Sequence, residues 1–210
     1  MKRLLLTVTA SIALAASART IADFFVSAPM YEAAPGLDVN MRMDLLDYFR
    51  SNLPSKTKNI YDENAAVIAE TDRTLTLMAG DSIQMQYGLA VSGADSVLVV
   101  IETLPTPMPD SKVSLYTTDW TPLGRQPQVS AALSDWLSSE GRVGQQRLED
   151  ILPFITAEAE FIEDGNRLVL RHTMAGYFSE KDSVAAEVDR CLKPQLEYTF
   201  DGKTFRLQNR

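Results

Sequence analysis

His172 is the only histidine in the 210-residue chain, so it is the first candidate for acid–base or metal chemistry. It follows Leu168 and Leu170 at alternating positions, which places it on the apolar face of a predicted strand. One histidine cannot build a histidine-rich zinc site or a two-histidine iron site. No Gly-x-Ser-x-Gly segment supplies a serine nucleophile either. We therefore expect His172 to pack at the edge of the core.

Glu158 and Glu160 are the least excluded catalytic pair, because paired carboxylates need no histidine. Two positions apart on a strand, they share a face, and their carboxylates could approach to roughly 6–7 Å, which suits glycosidase or cation chemistry. They alternate with Ala159 and Phe161, a pattern typical of the wet face of a half-buried strand. Solvated surface charges are the interpretation that we prefer.

Trp120 and Trp136 are the two tryptophans and the candidate binding residues. Trp120 follows the polar residues 117–119 after a predicted strand, where an exposed indole could stack on a sugar or a partner protein. The other interpretation, which we prefer, is that both indoles anchor the middle of the chain onto the core.

Metal and cofactor sites find little support in the sequence. Cys191 is the only cysteine, which excludes an internal disulfide and a thiolate metal cluster. Gly141 and Gly144 lack the lysine and the preceding strand of a phosphate-binding loop, and the aspartates lack the spacing of an EF-hand. We expect no cofactor and no metal.

The N-terminus predicts export. Lys2 and Arg3 precede an apolar stretch that ends in the small residues 16–18, the pattern of a secretory signal peptide over residues 1–18. The stretch is too short to span a membrane. Cleavage would leave a soluble periplasmic or extracellular protein that begins at Arg19. Losing two positive charges takes the net charge from −8 to −10, which disfavours a nucleic-acid partner.

The first half of the chain predicts two N-terminal helices followed by a meander. Residues 20–28 suggest a short helix, and Asp38 can cap a longer one. Alternating residues on either side of the turn at 80–82 pair Leu77 with Met85 and Leu75 with Tyr87. Residues 97–101 are apolar without alternation, as in a central strand covered on both faces, and a further strand is expected over 113–117.

The last third predicts hairpin, helix, hairpin. Asp164–Gly165 is a hairpin signal that pairs Phe161 with Leu168. A helix is expected from Ser179, and a second turn at Asp201–Gly202 would pair Tyr198 with Phe205. The fold class is therefore α+β, with antiparallel sheet and packed helices. Residues 19–210 are expected to form one domain, with two subdomains as the alternative if the chain breaks near 119–153.

Three segments resemble a family of exported Bacteroidales proteins of unknown function. They are residues 40–49, residues 110–111 and residues 116–123. The resemblance implies export and no catalytic activity.

The leading hypothesis for function is an exported, non-catalytic module that binds an envelope protein or a glycan. The alternatives are a carboxylate-dependent hydrolase, for instance on glycans, and a carrier with an apolar pocket for a small ligand. The sequence does not indicate an oligomeric state.

Overall fold

The computed structural model describes residues 19–105, 108–123, 132–178 and 183–208. It confirms the α+β class with two antiparallel sheets. The first sheet comprises β1 (Ala66–Glu70), β2 (Thr74–Met78), β3 (Gln84–Ser92), β4 (Asp95–Leu104) and β5 (Asp110–Tyr116). The second comprises β6 (Ala157–Ile162), β7 (Arg167–His172), β8 (Gln195–Phe200) and β9 (Phe205–Leu207). In both sheets the spatial order of the strands is their order along the chain.

Six helices accompany the sheets in the described residues. They are α1 (Ile21–Ser27), α2 (Val39–Arg50), α3 (Leu133–Trp136), α4 (Ser139–Val143), α5 (Gln145–Ile151) and α6 (Ser183–Cys191). Short 3-10 helices span Asp164–Asn166 and Met174–Tyr177. None of the helices in this part of the chain is long and apolar enough to cross a membrane.

The N-terminal helices are fixed by their caps and by one buried cation. The Asp38 carboxylate accepts from the Met41 N–H at 2.9 Å, which confirms the predicted cap of α2. Arg42, on α2, is 3% exposed and donates to the backbone oxygens of Phe25 and Ala28 at the end of α1. These carbonyls lie at the C-terminal end of α1, where few intrahelical donors remain, so the guanidinium joins α1 to α2.

The first sheet is covered on both faces. Leu75, Leu77 and Tyr87 point to the layer formed by α1 and α2, while Val99 and Ile101 of β4 pack against the second sheet. Residues 97–101 are all buried, which confirms the predicted central strand. Strand β1, at the free edge, was not predicted because residues 66–70 show no alternation.

Two predicted hairpin registers are confirmed. Leu77 lies opposite Met85 and Leu75 opposite Tyr87. Phe161 lies opposite Leu168 across the Asp164–Gly165 turn.

The predicted register of the last hairpin is wrong by two residues. Phe205 pairs with Phe200, and Tyr198 pairs with Leu207. The cause is the Asp201 carboxylate, which accepts from the N–H groups of Lys203 and Thr204 and moves the turn one residue along the chain. A shift of two preserves the buried face, so Tyr198 and Phe205 both remain in the core.

The middle region forms three short helices, α3, α4 and α5. The predicted signal segment (1–18) and the predicted helix start at Ser179 lie outside the described residues. The single domain over 19–210 stays a prediction, and so does its alternative, two subdomains with a break near 119–153.

Candidate functional site

The two sheets meet where the free edge of β6 lies on the first sheet. The Gln86 side chain, from β3, accepts from the Phe161 N–H at 2.8 Å and donates to the Phe161 carbonyl at 3.2 Å. Ser111 Oγ, from β5, accepts from the Ala159 N–H at 2.9 Å. An edge strand needs such partners for its backbone groups, and here side chains supply them.

One side of this junction is apolar and closed. Phe161 lies over Gly88 of β3, and a Cβ added at Gly88 would be 2.7 Å from Phe161 Cγ and 2.9 Å from Cε1. The Phe161 ring also packs edge-on against Phe205, with centroids 6.3 Å apart. This contact buries the apolar face of the second sheet and leaves no room for a ligand.

The other side of the junction is an open polar cleft of about 320 Å³. The first sheet contributes hydroxyl and amide side chains and the second contributes charged ones. The lining residues are Thr76, Gln84, Gln86, Thr103, Glu158, Ala159, Glu160 and Arg171. We call this feature the inter-sheet cleft. A cleft with convergent polar groups is the usual form of a binding site for a small ligand.

The charges of the inter-sheet cleft are unequal. Arg171 on β7 donates to Glu160 at 2.8 Å, and both side chains are nearly half exposed, at 46% and 48%. Glu158 lies directly opposite Arg171 in the β6–β7 register but forms no ion pair in the described part of the chain. The cleft therefore holds two carboxylates and one guanidinium, which is paired with Glu160 alone, and one negative charge remains in excess.

Three polar side chains in the inter-sheet cleft have no hydrogen-bond partner in the part of the chain that the structure describes. Thr103 bonds to Ser111 at 2.8 Å, and Gln86 is occupied by the β6 backbone. Thr76, Gln84 and Glu158 make no side-chain hydrogen bond to any other described residue. Their hydrogen-bonding capacity is thus free for water or for a ligand.

The structure places the two tryptophans inside separate cores. Trp120 is 8% exposed and packs with α1, donating from Nε1 to Ser27 Oγ at 3.4 Å. Trp136 is fully buried in the core of the second sheet. The exposed position considered for Trp120 is not observed, because its backbone turns back, with φ near +61°, and directs the indole onto Tyr116. The preferred interpretation, that both indoles pack into the core, is confirmed. A binding role for either residue stays a prediction.

His172 packs edge-on against the Trp136 ring, with centroids 5.8 Å apart. Burial lowers its pKa below the ordinary value, while Asp189 acts weakly in the opposite direction. Its Nδ1 is buried and has no hydrogen-bond partner among the described residues. This is the apolar side of the second sheet, as predicted, and it lies outside the inter-sheet cleft.

Glu158 and Glu160 share a face of β6, as predicted, and that face lines the inter-sheet cleft. A glycosidase general acid is held in a dry, apolar environment that favours its neutral form. Glu160 is instead half exposed and paired with a guanidinium. The hydrolase alternative is not favoured by this geometry.

No group of three or more histidine, cysteine, aspartate or glutamate side chains that could hold a metal ion occurs within the described ranges. Cys191 is buried at the end of α6.

The residues that face the carboxylates were missed at the sequence level. Thr76, Gln84 and Gln86 alternate with core residues of β2 and β3, which indicated a solvent-facing side of the sheet. The pattern held no signal that β6, more than 70 residues later, lies across that side.

Fold and cleft together define a two-sheet antiparallel α+β protein with an open polar site. The chain belongs to the family described as Protein of unknown function (DUF3256), whose model matches residues 13–205. The expected membership of a family without known function is thereby confirmed; export and restriction to Bacteroidales stay predictions.

Among solved structures, the chain is similar to a domain of an uncharacterized protein from Porphyromonas gingivalis W83. The TM-score is 0.69 and the sequence identity 19%, over 88% of this chain and 97% of that chain. At this identity the likeness concerns the fold alone. No curated protein matches the sequence.

Proposed function

We propose that this protein is an exported, non-catalytic binding module whose ligand site is the inter-sheet cleft. The observation that carries the proposal is the convergence of the free side chains of Thr76, Gln84 and Glu158 on one open cleft. Two different sheets supply these three side chains, and a concave site with convergent polar groups is the usual form of a small-ligand site.

The scaffold around the inter-sheet cleft supports binding rather than covalent chemistry. Both walls are strands of sheets, and the Gln86 amide fixes one wall to the other through two hydrogen bonds. Sites on strands hold their side chains more precisely than sites on loops. The only histidine lies on the other face of the second sheet, which leaves the cleft carboxylates without a neighbouring base of that type.

Ligand binding is tested with the mature chain, residues 19–210. Nitrogen-15 NMR spectra are recorded while small polar compounds, including monosaccharides and amino acids, are added. We expect shifts to concentrate on the side-chain amide of Gln84 and on the backbone of residues 158–160. Shifts that concentrate on Trp120 or Trp136 would move the site to those residues, and shifts elsewhere would overturn the proposal.

A matched pair of variants separates binding from folding. Glu158→Gln removes a charge inside the inter-sheet cleft, whereas Glu187→Gln removes one from the Arg147–Glu187 ion pair between α5 and α6. We expect only the first change to weaken ligand-induced shifts.

Export forms a separate part of the proposal. Cell fractionation followed by N-terminal sequencing is expected to give a periplasmic or extracellular protein that begins at Arg19. A cytoplasmic protein that retains residues 1–18 would contradict it. If the partner is an envelope protein and not a small molecule, cross-linking is expected to give a stoichiometric complex whose contact maps to the inter-sheet cleft.

A further inference from the structure

We infer that the inter-sheet cleft selects small polar ligands that carry a primary ammonium group. The inference rests on the proposed binding function and adds the chemical class of the ligand. It follows from three features of the cleft. Glu158 is a carboxylate without an ion-pair partner among the described residues, several hydrogen-bond acceptors are unused, and Arg171, the one cation, is already paired with Glu160.

The excess carboxylate is Glu158. Arg171 faces it across the β6–β7 ladder but directs its guanidinium to Glu160, at 2.8 Å. A neutral ligand that covered Glu158 would remove water from the carboxylate and leave its charge without a counter-ion. An ammonium group supplies the opposite charge together with its N–H donors.

The free acceptors match the donors of one ammonium group. The carboxylate of Glu158, the hydroxyl oxygen of Thr76 and the amide oxygen of Gln84 line the same cleft, and none is used by another described residue. A primary ammonium has three N–H donors and no acceptor, so its hydrogen-bonding groups are complementary to a cleft that offers free acceptors.

Arg171 works against anionic ligands. Its charge is already balanced by Glu160, so a phosphate or carboxylate that enters the inter-sheet cleft must compete with that pair and also lie near Glu158. Like-charge contacts of this kind provide selectivity against the wrong ligand. The acidic chain, with a net charge of −8, adds a long-range attraction for cations.

The probes are D-glucosamine and D-glucose, which differ at one position in having an ammonium or a hydroxyl group. Each is titrated at pH 6 into nitrogen-15-labelled mature protein, and the shifts of the Gln84 amide and of residues 158–160 are followed. For a molecule of this size we expect a glucosamine dissociation constant on the order of 1 mM. Glucose should bind at least tenfold more weakly.

Glu158→Gln should abolish this preference by weakening glucosamine about tenfold, without changing the binding of glucose. Glu187→Gln, with the same chemical change outside the cleft, should leave both titrations unchanged. The dispersion of each spectrum shows that the variant is folded.

The outcomes test the ammonium preference and the binding function separately. If glucose and glucosamine bind equally and Glu158→Gln alters neither, the ammonium inference is overturned while the binding site stands. If neither sugar shifts the cleft signals, but a compound of the screen without an ammonium group does, the ammonium inference fails alone. If no compound shifts these signals, the binding function fails as well.

Discussion

The two sides of strand β6 show how one strand can serve both stability and binding. On one side, Ala159 and Phe161 are buried against the first sheet and the core of the second. On the other side, Glu158 and Glu160 line an open cleft. Successive side chains of a strand point to opposite faces, so the sequence alternation alone produces this division.

The difference between the two sides shows where binding capacity remains. On the apolar side the contact between Gly88 and Phe161 is close enough to exclude even a methyl group. On the polar side hydrogen-bonding groups are left without internal partners, although the Gln86 amide, at the boundary, is fully used. The closed side therefore fixes the angle of the sheets, and the open side keeps its chemistry available.

Truncating the apolar side should have the largest effect on stability. Phe161→Ala removes a ring that is 2% exposed, and we expect the free energy of unfolding to fall by about 3–5 kcal/mol. Glu160→Ala, the neighbouring position on the polar side, should cost only about 0–1 kcal/mol because its ion pair is exposed. Urea denaturation of the two variants measures both values. Equal losses would contradict the division.

Filling the gap at Gly88 should have the next largest effect. Gly88→Ala is expected to destabilise the protein by about 1–3 kcal/mol, because the new methyl group overlaps the Phe161 ring. Combining it with Phe161→Leu should cost less than the sum of the two single changes. The control is Gly144→Ala, where a Cβ meets no atom within 4 Å. Additive losses in the double variant would show that the two residues are not in contact.

Gln86 and Gln84 provide a matched pair at the boundary between the two sides. Gln86→Leu leaves the Phe161 N–H and C=O without their partner, and we expect a loss of about 1–3 kcal/mol. Gln84→Leu removes a side chain that bonds to no other described residue and should change stability by less than about 0.5 kcal/mol. Thermal or urea unfolding compares them directly. A similar loss at both positions would show that Gln86 does not hold β6 in place.

His172 lies on the apolar side, and its burial should lower the free energy of unfolding at acid pH. Burial lowers its pKa below the ordinary 6.5, so the unfolded chain binds the proton more readily than the folded one. The stability that His172 contributes is therefore complete above pH 6.5, the ordinary pKa of the unfolded chain. It is lost as the pH falls from that value through the lower pKa of the folded protein. Unfolding free energies at pH 7.5 and pH 5.5 should differ less in His172→Gln than in the unaltered protein. An equal pH dependence would contradict the burial of the ring.

Local sequence signals account for most of the fold. The turn at residues 80–82 fixed the pairing of Leu77 with Met85 because alternation on both strands allowed one register only. The register of the last hairpin was predicted wrongly because the Asp201 carboxylate accepts from two backbone N–H groups within the turn. Residue types alone do not distinguish this turn from one in which Asp201 and Gly202 are the two central residues.

The inter-sheet cleft could be only half predicted. Alternation placed Glu158 and Glu160 on one wet face. The opposite wall depends on the Gln86 amide binding the Phe161 backbone 75 residues away, and no local pattern encodes a contact between a side chain and a distant backbone.

The smallest effect on stability should come from the residue with the largest expected effect on binding. Glu158→Gln keeps the size of the side chain and removes a charge that has no internal partner, so unfolding should change by less than about 0.5 kcal/mol. Residues selected for packing or pairing lose stability when altered, whereas a binding residue need not. Urea denaturation and the glucosamine titration, on the same samples, measure the two properties. A marked loss of stability would show that Glu158 supports the fold, and its part in the cleft would then be structural.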